Sequence, residues 1–342
     1  MSKFAIGVDL GGTNLRIAAV DENGTIMEKV STGTHVKRGR DFVLDEMCET
    51  IRAQATRFHQ YSLQGIGIGV PGIIDMQTGM LRESPNLPGW HNYPVRDEIE
   101  QRLGTTVLLE NDANAAALGE KWMGAAREFD DMCMITLGTG VGGGIVIGGR
   151  IWHGMKGMAG ELGHMNIEPE GHKCGCGSRG CIEQLASATA VVRMAREAIA
   201  AGNAPQLARA AQDNIEFGAK LVYQMAAQGD APAQEVYRKV GWALGIHLAD
   251  LVNAFNFPIY VVGGGVASAW DAFAPAMFAE LRARSFVYAA TAPADRGQRS
   301  PGRSTIVTHA LLGGDAGLYG AARLPMLPVD IEKQIAVRTK AS

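Results

Sequence analysis

Several features are scarce or missing in this chain of 342 residues. No run of about 18 apolar residues occurs, so no segment reads as a membrane span. No dense basic run occurs, and 32 Lys and Arg stand against 35 Asp and Glu, a net charge of −3. That weighs against nucleic acid as the main partner. The tryptophans Trp90, Trp122, Trp152, Trp242 and Trp270 are scattered and form no base-stacking platform. The N-terminus, Met1-Ser2-Lys3-Phe4, runs straight into an apolar stretch without the order of a signal peptide, which reads as a cytoplasmic protein. Cysteine is limited to five residues, an odd number that suits no secreted disulfide framework. Proline, at 13, is ordinary, and no G-X-Y period occurs, which excludes a Pro/Gly-rich disordered chain and collagen.

What is plentiful is glycine. Its 44 residues are about 13% of the chain, against a usual ~7%. With 46% hydrophobic and 20% charged residues the chain is otherwise globular, and its length suggests two domains. The glycine excess therefore needs a local explanation.

Apolar strands are predicted at Phe4–Val8, Leu15–Val20 and Thr25–Val30, and a helix over Asp41–Gln60. Ile66–Val70 reads as a strand stopped by Pro71-Gly72, Pro85–Tyr93 as a loop and Thr106–Glu110 as a strand. Asp112 opens an Ala-rich helix to about Gly124. Strand, glycine turn and strand then recur at Met132–Leu137, Gly138–Gly144 and Ile145–Ile147, about 130 residues after the first such unit, which suggests two related halves. Gly154–Glu183 reads as irregular, and Ser187–Asn256 as Ala-rich helices broken near Gly202-Asn203 and Gly229-Asp230. Pro258–Val262 is a strand ending in Gly263-Gly264-Gly265, with a helix to about Arg284. Thr291–Ser304 reads as an exposed loop, Thr305–His309 as a strand and Asp315–Arg323 as a helix. Strands alternating with helices make this an α/β protein.

Three glycine clusters sit at strand ends. In Asp9-Leu10-Gly11-Gly12-Thr13-Asn14, bare backbone N–H groups and the Thr13 hydroxyl suit an anion, and Asp9 suits Mg²⁺ held through water. The bland alternative is a hairpin with an acidic turn. Leu137-Gly138-Thr139-Gly140 repeats the pattern, and Gly264 and Gly265 open a helix where a phosphate or flat adenosine can approach. None of these is a P-loop or a dinucleotide fingerprint. In Glu110-Asn111-Asp112, Asp112 reads either as a helix N-cap or as a general base for phosphoryl transfer, with Asn111 orienting the acceptor.

The strongest motif is His164 followed by Cys174, Cys176 and Cys181, with Glu161 and Glu183 flanking it. One imidazole and three thiolates make a closed tetrahedral set for a structural Zn²⁺, with no position left for activated water. The alternative is three buried thiols and a hydrogen-bonded histidine. The second ring nitrogen of His164 remains free for a ligand hydroxyl.

Taken in order, these pieces resemble the ROK family of bacterial sugar kinases and repressors, the glucokinase-type enzymes in particular. Gly69-Val70-Pro71-Gly72, Pro85-Asn86-Leu87 with Trp90, Gly160-Glu161-Leu162-Gly163-His164 and Gly314-Asp315-Ala316-Gly317 complete the pattern. The resemblance implies a two-domain actin-like ATPase/hexokinase (ribonuclease H-like) fold with an interdomain cleft. It implies a small domain of residues 1–111 plus about 311–342, and a large one of 112–310 carrying the zinc loop. It implies Asp112 as catalytic base, with Gly72, Asn111, Asp112, Glu161, His164 and Glu183 at the sugar. Asp9, Gly11, Gly12, Thr13, Thr139, Gly140, Gly264 and Gly265 would face ATP and Mg²⁺, and His164, Cys174, Cys176 and Cys181 would hold zinc.

The expected reaction is phosphorylation of a hexose 6-hydroxyl, glucose first, by a homodimer. N-acetylglucosamine, N-acetylmannosamine or another hexose is the alternative substrate. A sugar-responsive repressor would carry a helix-turn-helix before the glycine turn, and only eight residues precede Asp9. A sensor without catalysis is disfavoured by the intact Asp112.

Overall fold

The computed structural model describes residues 1–213, 217–293 and 304–328. Two five-stranded sheets organise the chain. The first half contains β1 (Lys3–Leu10), β2 (Asn14–Asp21), β3 (Ile26–Gly33), α1 (Arg40–Arg57) and β4 (Ser62–Val70). It continues with the hairpin β5 (Ile73–Asp75) and β6 (Met80–Glu83), then α2 (Val95–Leu103), β7 (Leu108–Asn111) and α3 (Asp112–Trp122). The second half contains β8 (Met132–Leu137), β9 (Val141–Ile147) and β10 (Arg150–Ile151). Helices follow: α4 (Glu183–Ala186), α5 (Ala188–Ala200), α6 (Pro205–Asp213), α7 (Ala219–Ala227) and α8 (Ala231–Phe255). The chain closes with β11 (Ile259–Gly263), α9 (Trp270–Arg284), α10 (Phe286–Thr291), β12 (Ile306–His309) and α11 (Ala316–Arg323).

The first sheet has the order β3-β2-β1-β4-β7 and the second β10-β9-β8-β11-β12. Each begins with an antiparallel hairpin, β1–β2 or β8–β9, and adds parallel strands on the other side. In central β1 and β4, Ile6, Val8, Leu10, Ile66, Ile68 and Val70 are buried on one face, while Gly7 and Gly67 on the other lie against α11. One face is covered by the α1 stripe of Val43, Leu44, Met47, Cys48 and Ile51. Behind the second sheet, Leu244 and Leu248 of α8 join Phe273, Met277 and Leu281 of α9 in the largest core.

This topology aims the strand ends at one place. Parallel β4 and β7 pair Val70 with Asn111, which sets Pro71-Gly72 beside the start of α3. Parallel β8 and β11 pair Thr136 with Gly263, which sets Gly264 against the backbone of Leu137. α3 and α11 cross between the sheets. α11 packs on α3 and on β1, β2 and β4, while α3 packs on β8 and β9. A methyl group at Gly119 or Gly320 would overlap the carbonyl oxygens of Ala316 and Ala115, so these glycines permit the close helix crossing.

Several elements fall in segments with no assigned element in the sequence reading: the β5–β6 hairpin, α2, β10 and α10. One glycine cluster is also redrawn. The turn after β8 is only Gly138–Gly140, closed by the Gly138 N–H donating to Gly140 O at 2.9 Å. Gly142, Gly143 and Gly144 lie within β9, paired with Thr136, Ile135 and Met134. They are small because α3 and Leu162 press on that strand: a methyl at Gly144 would come 2.6 Å from Ala117 Cβ. In the 291–304 loop, residues 294–303 lie outside the described residues, as do 329–342 of the C-terminal segment.

Candidate active site

The β7–α3 junction decides between the two roles open to Asp112. Asn111 is the N-cap: its side-chain oxygen accepts from Ala113 N at 2.9 Å and Asn114 N at 3.1 Å, and its Nδ2 donates to Gly72 O at 3.1 Å. Asp112 is thus the first helical residue, and its Oδ1 accepts from Ala113 N at 3.0 Å. Its carboxylate is half-buried on the floor of a cleft and not consumed by capping. Loss of solvent pushes the Asp112 carboxyl up to about 6, the charges of Asp9 and Glu161 add to the rise, and the Ala113 N–H opposes it. A carboxyl in that range sits close to the pH at which a base works best.

The cleft has a volume of about 470 Å³. Asp9, Gly11, Gly12, Thr13, Thr139 and Gly140 line it, as do Gly72, Asp112, Glu183 and Gly264. Both glycine turns therefore face one space, with Gly11 N–H donating to Asn14 O at 2.9 Å in the first. Asp9 receives Arg16 Nη1 at 2.9 Å. Burial raises the Asp9 pKa, Arg16 opposes that, and Asp315 adds to it. Gly265 stands apart from the other predicted residues, in an adjoining open cavity of about 1040 Å³ reached past Gly138 and Thr139 and walled by Phe217, Tyr223 and Tyr237.

On the other side of Asp112 a smaller recess is lined by Gly72, Asn111, Asp112 and Glu161, with Ile74 and Met76 from the β5–β6 hairpin. Glu183, at the start of α4, accepts from Val141 N at 3.1 Å. His164 lines neither cleft nor recess. Its Nδ1 lies 3.6 Å from Cys174 Sγ and its Nε2 3.9 Å from Glu161 Oε2, so one ring nitrogen faces the thiols and the other faces the recess residue.

The donor atoms of His164, Cys174, Cys176 and Cys181 all lie within 4.8 Å of one another. Around a tetrahedral Zn²⁺, neighbouring nitrogen and sulfur donors sit roughly 3.5–3.8 Å apart. The Cys176–Cys181 separation is 3.7 Å and the Cys174–His164 separation 3.6 Å, so this set fits such an ion. Glycines and short bridges, Asn166 to Cys181 and Lys173 to Arg179, shape the loop around it.

The sequence reading missed several cleft residues: Arg16, Asn86, Gly314 and Gly317. Arg16 had a signal, since the β1–β2 register pairs it directly with Asp9. Gly314 and Gly317 stood in the Gly314-Asp315-Ala316-Gly317 motif without an assigned role, and a methyl at Gly317 would come 3.2 Å from the Asp9 carboxylate. The aromatic wall of the adjoining cavity had none, because α7 and α8 meet there only through the tertiary fold.

Known proteins share this architecture. The ROK family pattern matches residues 5–326. The chain is 40% identical over 319 residues to the glucokinase of Thermotoga maritima, covering 93% of this chain and 96% of that one. It is 37% identical to a ROK family glucokinase from Streptomyces griseus solved with glucose and AMPPNP, with TM-score 0.75 over 94% of this chain and 98% of that one. A ROK hexokinase from Thermus thermophilus aligns with TM-score 0.74 at 33% identity, over 93% of this chain and 96% of that one. The architecture is the actin-like, hexokinase-type α/β fold with a cleft between its halves. On the full-length match and the relatives' identity alike, the chain belongs to the ROK family.

Proposed function

We propose that this protein phosphorylates a hexose at its 6-hydroxyl, converting D-glucose and ATP to D-glucose 6-phosphate and ADP. One observation carries the reading: a raised, uncapped carboxylate, Asp112, stands between a polar recess and a cleft faced by two glycine turns. Similarity to glucokinases at 36–40% identity supports glucose as the acceptor.

The sugar lies at the recess against Asn111, Glu161 and the Gly72 corner, with Glu183 reaching it from the cleft side of Asp112 and His164 from beside Glu161. Asp112 accepts the 6-hydroxyl proton as O6 bonds to the γ-phosphorus and the bond to the β,γ-bridging oxygen breaks, releasing ADP. Backbone N–H groups of Gly11, Gly12, Thr13, Thr139 and Gly140 bind the phosphates, and Gly264 and Gly265 lead to the base cavity. Mg²⁺, when bound, neutralises phosphate charge, and the buried Asp9 carboxylate beside the cleft is suited to hold it through water. His164, Cys174, Cys176 and Cys181 would hold Zn²⁺, which would fix the loop that carries Glu161 and ends at Glu183.

The small domain comprises residues 1–111 and the chain from about 311, the large one 112–310, and closure of one on the other excludes water. The protein works as a cytoplasmic homodimer without nucleic acid or membrane partners; no described helix is long and apolar enough to cross a membrane.

A coupled ADP-release assay with Mg²⁺ and ATP tests this across glucose, N-acetylglucosamine, N-acetylmannosamine, mannose, fructose and allose. The expected result is highest kcat/KM for glucose. Preference for an N-acetylhexosamine would reassign the substrate, and a flat, background rate on all six would contradict the kinase.

A further inference from the structure

Glu110 immediately precedes the Asn111-Asp112 corner, and its side chain is 2% exposed. A buried carboxylate is costly unless every oxygen is paired. Here three N–H donors meet it. Oε1 accepts from Asn111 N and from Asn114 Nδ2, both at 3.0 Å, and Oε2 accepts from His153 Nε2 at 2.7 Å. The first two donors belong to the corner and first turn of α3 that carry Asp112. The third comes from the segment that follows β10.

His153 follows β10 and opens the loop that runs to Glu161. That loop is closed on itself by Ala159 N donating to His153 O at 3.1 Å. Gly154, Lys156, Gly157 and Gly160 all take positive φ, so the chain doubles back tightly between the two anchors. Its residues Gly157, Ala159 and Gly160 wall the recess before Glu161. Because Glu110 takes the amide nitrogen of Asn114, the Asn114 oxygen is turned toward Gly160, where a methyl would lie 3.6 Å away; that oxygen is buried without a partner.

We infer that Glu110 and His153 are positioning residues that tie the Asp112 corner to the Glu161 loop, setting the distance between the base and the sugar-binding side of the recess. The inference rests on the sugar-kinase reading. The Glu110–His153 hydrogen bond joins β7 of the first sheet to the segment after β10 of the second, and the other two donors to Glu110, Asn111 and Asn114, line the recess, so the contact acts on sugar placement more than on the nucleotide side. Charge-assisted pairs of this kind hold geometry well, and misplacing a reacting group by about 1 Å costs up to about a hundredfold in rate.

Steady-state kinetics on wild type, His153→Ala, His153→Gln, Glu110→Gln and the double variant His153→Ala/Glu110→Gln test this. Glucose KM should rise and kcat fall, together lowering kcat/KM at least about tenfold in His153→Ala, while ATP KM stays within about twofold. His153→Gln, which keeps an N–H donor, should recover most of the loss. The double variant should be no worse than the poorer single one, because both remove one interaction. Unchanged kinetic constants with only a lower Tm, equal rises in glucose and ATP KM, or multiplicative losses in the double variant would overturn the inference. An inactive wild type would instead overturn the kinase reading itself.

Discussion

At the scale of single residues, two buried titratable groups give opposite pH signatures. The folded Asp112 carboxyl titrates at about 6 against an ordinary 3.8, so the folded state holds its proton more tightly than the unfolded chain does. Its contribution to stability is present below about pH 4 and is lost as pH rises through 6. Asp112→Asn should therefore stabilise the protein at pH 7–8 by up to about 3 kcal/mol, with the gain shrinking toward pH 4, measured by urea midpoints across that range. The same titration should give kcat/KM a rising limb centred near pH 6, since only the deprotonated carboxylate takes up the hydroxyl proton. His247 is the reverse case. It is fully buried in α8, with both ring nitrogens unpartnered among the described residues, and burial lowers it from 6.5 to about 4. Its contribution is present above pH 6.5 and is lost as pH falls toward 4. His247→Leu should flatten the stability curve in that window by about 3 kcal/mol and leave kcat unchanged.

Helices and strands show why glycine is so abundant. Only part of the excess sits in phosphate-facing turns. Another part lines the α3–α11 crossing and strand β9, where backbone and small side chains press together. Gly320→Ala tests this with a sign. In an ordinary helix it would stabilise by about 1 kcal/mol, whereas in this seam it should destabilise by about 1–3 kcal/mol, read from the denaturation midpoint at constant m. The seam was not legible beforehand, because a glycine carries no apolar signal. For the same reason the 142–144 stretch read as turn and not as strand. By contrast β1, β2, β4, β8 and α1 announced themselves through apolar runs and spacing. The β5–β6 hairpin hid because its strands are of three and four residues, and α2 because five of its nine residues are charged.

For the whole molecule, the two sheets bring motifs far apart in sequence to one cleft, and most of the residues that line it were legible from those motifs together with the family resemblance they carry. Asp9, the glycine turns, Asp112 and the Cys/His set combine chemistry that few bland arrangements share. What sequence left open was geometric: whether Asp112 caps α3 or stands free as a base, and which side chains wall the adjoining cavity. Asn111 settles the first through its hydrogen bonds to Ala113 and Asn114. The thiol loop is where the proposed zinc would bear on function at this scale. Metal analysis of protein purified without chelator should find one zinc per chain. Stripping it should lower the Tm and raise glucose KM more than ATP KM, because the loop carries Glu161 and Glu183 and not the glycine turns. The central claim is that Asp112 is the base of a hexokinase. It is tested most directly by measuring turnover and glucose binding on the same preparation of Asp112→Asn. The account predicts a kcat lowered by about 10²–10⁴-fold with calorimetric glucose affinity within about tenfold of wild type, whereas turnover near the wild-type rate would contradict it.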